Sequence, residues 1–480
     1  MRLALAVGLS VLLAACAGLP PKPKPVDLPA EAPLAGVDLA VGGAWPAADW
    51  WSRYQDSTLD KLIDLALASS PTLATAHARF DSARESVRVA GAAAGARVDA
   101  NSDFTRQRLS DNGLFPPELL GFHWYNLMDL GLQASYTFDW WGKQRAIVAA
   151  AVDEAHAARA DRSAAALLLA SSIADSYFGW QADQGRLALA KERMAAVQRE
   201  GSIALERVQA ELDSADTLHA TAAAAAAVSE QIAGLEGSAQ LRRVAVAALV
   251  GRSVAELPAF EVKPLPAVGA DLPKDARLDL LSRRPDIAAS RWRVESAQKN
   301  LDAARAQFYP DVSVNVLAGL QSMDIQRLIE YDSRVPLIGA AVHLPLFDSG
   351  RLKARYGANQ ALVDSAVAGY RETVVNAARD VATEALTRTQ LAAQRAQRLI
   401  QVDAARLHRA SAAARVRQGV VDARVELQAT ESWIDQRDAL MQLDAAAMSA
   451  DIGLQRALGG GYGSPPELAN SNLTPTKATP

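Results

Sequence analysis

The sequence predicts a mainly α-helical protein that also carries membrane β-strands and consists of two copies of one structural unit. Two segments of about 70 residues contain no proline, and each predicts a helix roughly 100 Å long at 1.5 Å per residue. Four shorter segments alternate apolar and polar residues over about ten positions, as the wall of a membrane barrel does. We therefore expect four strands and long coiled-coil helices in each chain.

The internal repeat is visible as matching motifs in the two halves of the chain. Pro71-Thr72-Leu73-Ala74 returns 214 residues later as Pro285-Asp286-Ile287-Ala288. Later matches pair Phe138-Asp139-Trp140-Trp141-Gly142-Lys143 with Phe347-Asp348-Ser349-Gly350-Arg351, and Arg207-Val208 with Arg415-Val416. Any function must therefore come from an object with this pseudo-symmetry.

The N-terminus predicts export and lipidation. Residues 1–15 have the charged start and apolar run of a signal peptide, and Leu13-Ala14-Ala15-Cys16 matches the cleavage box of bacterial lipoproteins. Cys16 is the one cysteine in the chain, so we expect it to carry the lipid, and we expect no other cofactor. Ala17, in place of aspartate, favours the outer membrane. The alternative is an ordinary signal peptide with an incidental cysteine.

The remaining chain divides into a tether, two repeats and a tail. Residues 16–44 are rich in proline and predict an extended, lipidated tether. The first repeat, 45–265, contains a helix from about Leu59 to Val87, strands 98–109 and 128–138, and a long helix pair over 143–250. The second repeat, 266–462, contains a helix from about 286 to 307, strands 312–321 and 335–346, and a pair over 351–458. Residues 463–480 are expected to form a flexible tail.

Alternation in the strands separates an apolar face from a polar one. In the second strand, Met128, Leu130 and Leu132 alternate with Asp129, Gly131 and Gln133, and the pattern continues to residue 139. A soluble, half-buried sheet would show the same periodicity, so the pattern alone leaves both alternatives open.

The number of strands indicates that several copies of the chain assemble. A membrane barrel needs at least eight strands and no open edge, so four strands would have to be completed by other subunits. Two helices carry packing positions at alternating spacings of three and four residues, which predict coiled-coil seams. These positions are Val375, Ala378, Ala382, Ala385, Thr389, Ala392, Ala396 and Leu399, and then Leu440, Leu443, Ala447, Ala450, Leu454 and Ala457.

Composition argues against other classes of function. The net charge of −4 provides no basic surface for nucleic acid. The six histidines are scattered without metal-ligand spacing, and the sequence contains no Gly-x-Ser-x-Gly elbow. We therefore expect that the protein is not an enzyme. A structural lipoprotein that spans the periplasm remains an alternative, although it leaves the alternating strands unexplained.

Motifs along the chain resemble those of a known family, the outer-membrane efflux lipoproteins of the NodT type, which are relatives of the TolC channel-tunnels. They are Asp49-Trp50-Trp51-Ser52-Arg53-Tyr54, Leu280-Leu281-Ser282-Arg283-Arg284-Pro285-Asp286-Ile287, the two strand-to-helix corners, and Ala457-Leu458-Gly459-Gly460-Gly461-Tyr462. The resemblance covers about residues 45–462.

The resemblance implies a homotrimer in the outer membrane of a Gram-negative bacterium. Its twelve strands would form one TolC-like barrel and its helices a periplasmic tunnel, with 110–126 and 322–334 as extracellular loops. Such a channel passively conducts small molecules from an inner-membrane pump, of the RND type, through a periplasmic adaptor protein. A duct for type I protein secretion is the alternative, and the substrate stays open.

The candidate site residues lie where the long helices turn and where strands end. Inward carboxylates in three copies would form acidic rings, and arginines would pair with them to hold the mouth closed. The candidates for this periplasmic gate are Asp213, Asp216, Asp422, Arg207, Arg415 and Arg417. The alternative is helix capping by Asp213 and Asp216. Glu211 stands where the family usually has glycine. Trp140 and Trp141 are candidates for the membrane interface.

Overall fold

The computed structural model describes residues 20–21, 26–28, 41–112, 116–268, 272–273 and 281–463. The predicted signal peptide, the lipidation site Cys16, most of the tether and residues 464–480 of the tail lie outside the described residues.

In each half of the chain, one or two helices precede two strands of the four-stranded sheet, and a long helix and a shorter one follow them. The helices are α1 Ser57–Ser69, α2 Pro71–Ala93, α3 Pro117–Leu120, α4 Lys143–Gln209, α5 Ala215–Val250, α6 Pro285–Ala306, α7 Arg351–Arg417 and α8 Ala423–Ala457. The strands are β1 Val41–Gly43, β2 Arg97–Arg108, β3 Trp124–Phe138, β4 Leu272–Pro273, β5 Asp311–Ser322 and β6 Arg334–His343. Short 3-10 helices cover Trp50–Tyr54, Val254–Glu256, Ile325–Arg327 and Tyr331–Ser333. Within the described chain, no helix is both long and apolar enough to cross a bilayer.

The two long helices begin at equivalent corners after a strand. Both α4 and α7 contain 67 residues, so each is about 100 Å long. Gly142 and Gly350 precede them with φ angles of 78° and 86°, a backbone conformation that glycine adopts without strain. Asp139 accepts hydrogen bonds from the backbone N–H groups of Gln144 and Arg145, at 3.0 and 2.9 Å, and thereby satisfies the first turn of α4.

The predicted single helix from Leu59 to Val87 is wrong, because two helices occupy this region. α1 ends at Ser69, and Ser70 is extended with ψ of 127° before Pro71 opens α2. The proline ring disfavours a helical residue before it, and its missing N–H suits the first helical position.

The four-stranded sheet is antiparallel with the strand order β2-β3-β5-β6. Leu130 pairs with Leu320, and Tyr136 pairs with Val314, so apolar residues lie side by side on one face. The predicted strand 335–346 ends at His343 instead, because Pro345 has no N–H for the ladder. β3 begins earlier than predicted, at Trp124, because it pairs with β2 as far as Arg108.

The helices form one layer in which α4 packs against α2, α5, α6 and α8, while α7 packs against α6 and α8. The main core lies about halfway along α4, a level called mid-height below. There the 3-10 helix with Trp50 and the helix α1 cover Ile173 and Tyr177 of α4. A second core joins Ile287 of α6 to Val374 of α7.

Only part of the seam predicted in α7 packs within the chain. Val375 is 56% exposed, and Thr389, Ala392, Ala396 and Leu399 are also exposed. Only one side of α7 packs within the chain, and that side buries Val374, Ala377, Ala378, Val381, Ala385 and Arg388. In α8 the predicted seam faces the interior, and Ala450, Leu454 and Ala457 are buried.

Candidate functional site at the hairpin tips

Two helical hairpins end side by side, and their turns have the same backbone geometry. At the first tip the Leu212 N–H donates to the Arg207 carbonyl at 2.8 Å, and at the second the Val420 N–H donates to the Arg415 carbonyl at 3.0 Å. These bonds close each helix through a residue in the left-handed region, as a Schellman motif does. That residue is Gly419 at φ 69° in the second tip and Glu211 at φ 51° in the first.

Four charged side chains link the two tips. Arg207 contacts Asp213 of its own tip at 2.8 Å and Asp422 of the other tip at 3.5 Å. Arg424 contacts Asp422 at 3.3 Å and reaches back to Asp213 at 3.4 Å. Each arginine therefore touches both aspartates, and the resulting cluster of four side chains crosses between the hairpins.

The electrostatics of this cluster favour its charged form. The hydrogen bond from the Arg207 guanidinium holds the pKa of Asp213 below its ordinary value, and the same contact raises the pKa of Arg207. The pKa of Asp422 is lowered first by the backbone N–H of Arg424 and then by the Arg424 side chain. All four side chains are partly open to solvent, so each pair contributes modestly and is sensitive to salt.

The structure brings together three of the six predicted gate residues, which are Arg207, Asp213 and Asp422. The other three lie in the adjoining turns: Asp216 in the first turn of α5, and Arg415 and Arg417 in the last turn of α7. None of these three forms an ion pair within the part of the chain that the structure describes.

Helix capping involves Asp422 and neither of the two aspartates expected to cap, Asp213 and Asp216. Asp422 is the N-cap of α8 and accepts a hydrogen bond of 2.8 Å from the Arg424 N–H. The N-cap of α5 is Ser214 rather than either predicted aspartate, and its side chain makes no capping bond.

Arg424 is the member of the cluster that the sequence reasoning missed. The repeat contains a signal for it, because Arg424 occupies the position of Asp216 in the first half, 208 residues earlier. This reversal of charge makes the two tips complementary instead of alike.

The strand-to-helix corner holds the two tryptophans predicted at the membrane interface. Trp141 stacks on Tyr309 with ring centroids 4.5 Å apart and donates to the Pro310 carbonyl at 2.9 Å. Trp140 stacks on Phe138 and is exposed. The corner is therefore tied to the start of β5, and an interfacial role for both rings stays a prediction. In the described ranges, no group of three or more histidine, cysteine or carboxylate side chains is placed to hold a metal ion.

A sheet with one apolar face, continued by two helical hairpins that each begin with a 67-residue helix and have ion-paired tips, defines a membrane channel subunit. The chain belongs to the outer membrane efflux protein family, whose model matches residues 62–252 and 278–460. It is 32% identical to the multidrug resistance outer membrane protein MdtP of Escherichia coli over 89% of this chain and 88% of that protein.

Solved structures of similar proteins support this family assignment. The outer membrane protein VceC of Vibrio cholerae has 32% identity and a TM-score of 0.78 over 87% of this chain and the whole of that one. The Campylobacter jejuni CmeC outer membrane channel, at 20% identity, shares the fold with a TM-score of 0.83 over 93% of this chain and 95% of that one. The chain is thus an outer-membrane efflux channel, which confirms the predicted family, TolC-like fold and outer-membrane location.

Proposed function

We propose that three copies of this chain form a closed-resting duct that passes small molecules from an inner-membrane pump to the outside. The observation that carries the proposal is the open sheet, in which β2 and β6 are edge strands and pair on one side only. An open edge in lipid leaves backbone groups unsatisfied at a cost of several kcal/mol each. Three sheets joined edge to edge would give a closed barrel of twelve strands.

Exposed apolar residues at the two sides of the helix layer support this assembly. Val375 and Leu399 are exposed on α7, which forms one side of the layer. On the opposite side, α5 exposes Leu241, which is 71% accessible, and Val244. Helices of a neighbouring copy would cover both surfaces and would complete the part of the predicted seam that a single chain leaves open.

The cluster of Arg207, Asp213, Asp422 and Arg424 is the proposed lock of the periplasmic mouth. It joins the two hairpins by contacts that exist only while the tips lie side by side. Binding of a periplasmic adaptor and pump, which we expect to be of the RND type, would favour a second arrangement with the tips apart. Asp216, Arg415 and Arg417 would then line the mouth without taking part in the lock.

The wider proposal includes a lipid on Cys16 that anchors the N-terminus in the outer membrane, and a passive role without catalysis. The name of the relative MdtP supports drug-like small molecules as the transported class. Trp140 and Trp141 would mark the periplasmic edge of the bilayer.

The deciding experiment combines the mass of the purified, lipidated protein in detergent with its single-channel conductance in a planar bilayer. We expect a trimer that produces small current steps. A monomer that is folded and helical but never conducts would overturn the proposal and would favour a structural lipoprotein.

A further inference from the structure

Three adjoining cavities form a groove along one face of the helix layer. Their volumes are about 300, 500 and 300 Å³, and the middle one shares Glu384, Gly453 and Arg456 with the first and Asp175 and Ser449 with the third. Together they run along α4, α7 and α8 at mid-height. The middle cavity alone has the size of a site for a drug-sized molecule.

The groove lies on the opposite side of α4 from the 3-10 helix that covers the core. On α4, Asp175 lines the groove while Ile173 packs under the 3-10 helix with Trp50, and two residues correspond to a rotation of about 200°. In the proposed duct, the covered face must lie outside, since the segments that cover it would otherwise block the passage. The groove therefore lies on the inner wall of the proposed duct.

Its charged residues are paired with two exceptions. Arg284 and Arg379 contact Asp380, Arg186 contacts Asp438, and Arg242 contacts Asp183. Asp175 accepts a hydrogen bond of 2.6 Å from Ser449. For the side chains of Glu384 and Arg456, the described residues provide neither an ion pair at contact distance nor a hydrogen bond, although the charge of Arg456 acts on the Glu384 carboxylate.

Glu384 is the more firmly placed of these two side chains. It is half-buried, whereas Arg456 is exposed. Its carboxylate lies against Gly453, where an added Cβ would be 2.6 Å from the carboxyl carbon, so the glycine makes room for it. Burial raises the pKa of Glu384, while Arg456 lowers it and Asp380 raises it further.

We propose that this groove binds amphipathic organic cations in transit, with Glu384 as the charge that holds them. The proposal rests on the duct described above and adds the class of substrate that its wall favours. Beside Glu384, the middle cavity offers a second carboxylate in Asp175 and an apolar lining of Leu391, Ile452, Ala446 and Ala450. A carboxylate that has no contacting cation and lies next to aliphatic side chains suits a ligand that is both positively charged and apolar. The exposed guanidinium of Arg456 would oppose such a ligand.

The test uses tetraphenylphosphonium and the full-length protein in detergent, with binding measured by equilibrium dialysis and channel block measured in planar bilayers. Glu384→Gln is expected to weaken binding roughly fivefold, the upper end of what a solvent-facing charge pair contributes. Arg456→Gln is expected to strengthen it. Glu372→Gln, an exposed carboxylate on the same helix, is the matched control and should bind as the unaltered protein does.

Conductance separates this inference from the function on which it rests. A protein that conducts but binds tetraphenylphosphonium equally well before and after Glu384→Gln overturns the cation site and leaves the duct standing. Weaker binding after Arg456→Gln also overturns it, because that result assigns an anion site. A protein that neither trimerises nor conducts overturns the duct itself, and the inference falls with it.

Discussion

The hydroxyl group of Tyr54 donates a hydrogen bond of 2.7 Å to the carboxylate of Asp451, which lies 397 residues later in the chain. Asp451 is completely buried, and Arg388 and Arg53 contact it at 3.4 and 3.8 Å. Burial strongly raises the pKa of Tyr54, and the neighbouring carboxylate adds to the effect, so the hydroxyl remains a donor at any ordinary pH. This contact ties the N-terminal 3-10 helix to the last hairpin.

Tyr54→Phe should destabilise the protein by about 1–3 kcal/mol, because the buried carboxylate of Asp451 loses a donor that water cannot replace. The measurement is the thermal unfolding midpoint followed by circular dichroism. Tyr356→Phe is the control, since this exposed hydroxyl donates only to the Pro21 carbonyl. Equal midpoints for both variants would contradict the structural importance of the pair.

The two hairpin tips predict opposite effects of substitution at equivalent positions. Glu211 adopts the left-handed conformation that Gly419 adopts without strain. Glu211→Gly should therefore stabilise the first tip, and Gly419→Ala should destabilise the second, each by about 1 kcal/mol. Hydrogen exchange of the amides flanking each turn reports the local change. The same sign of effect at both positions would contradict the shared geometry.

Arg207→Ala should raise the open probability of the channel, because it removes contacts to Asp213 and Asp422 at once. The side chains are partly exposed, so the expected increase is only about threefold. Single-channel recording measures it. Arg415→Ala is the matched control, since it stands at the equivalent place in the second half and forms no ion pair among the described residues. An equal rise in both variants would rule out a specific lock.

The lock should withstand mild acid. The pKa values of Asp213 and Asp422 are both lowered, so their stabilising contribution is complete above the ordinary aspartate pKa of about 4. It is lost only as the pH falls through the lowered values. Open probability is thus expected to be the same at pH 7 and pH 5 and to rise below pH 4. An increase between pH 7 and pH 5 would point to other titrating groups.

Asp153 of α4 predicts the opposite pH dependence. It is 9% exposed, its Oδ2 has no hydrogen-bond partner among the described residues, and burial together with Glu295 raises its pKa to about 6. Because the pKa of Asp153 is raised in the folded protein, its contribution to the free energy of unfolding is complete below pH 4 and is lost as the pH rises through 6.

Asp153→Asn should therefore stabilise the protein by about 2 kcal/mol at pH 8 and have little effect at pH 4. Thermal midpoints at the two pH values measure this difference. Glu154→Gln, an exposed neighbour, is the control and should change neither midpoint. A gain of the same size at both pH values would show that the carboxyl charge is not the cause.

The sequence by itself determined the repeat, the two long helices and the four alternating strands. These features depend on local periodicity, which backbone geometry imposes on each segment alone. Its errors follow from the same dependence. The helical pattern continues across Pro71, so the pattern hides the break that this proline causes. Half of the α7 seam has no packing partner within a single chain, so its environment depends on assembly.

Only the tertiary structure decided which side chains meet. The pattern marked Arg207 and Asp422 as candidates, yet the side-by-side placement of two distant hairpin tips is what joins them and adds Arg424. Glu384 has no distinguishing motif in the sequence, and its lack of an ion partner is apparent only once α4, α7 and α8 enclose the groove. Contacts between segments hundreds of residues apart depend on packing, which no local pattern contains.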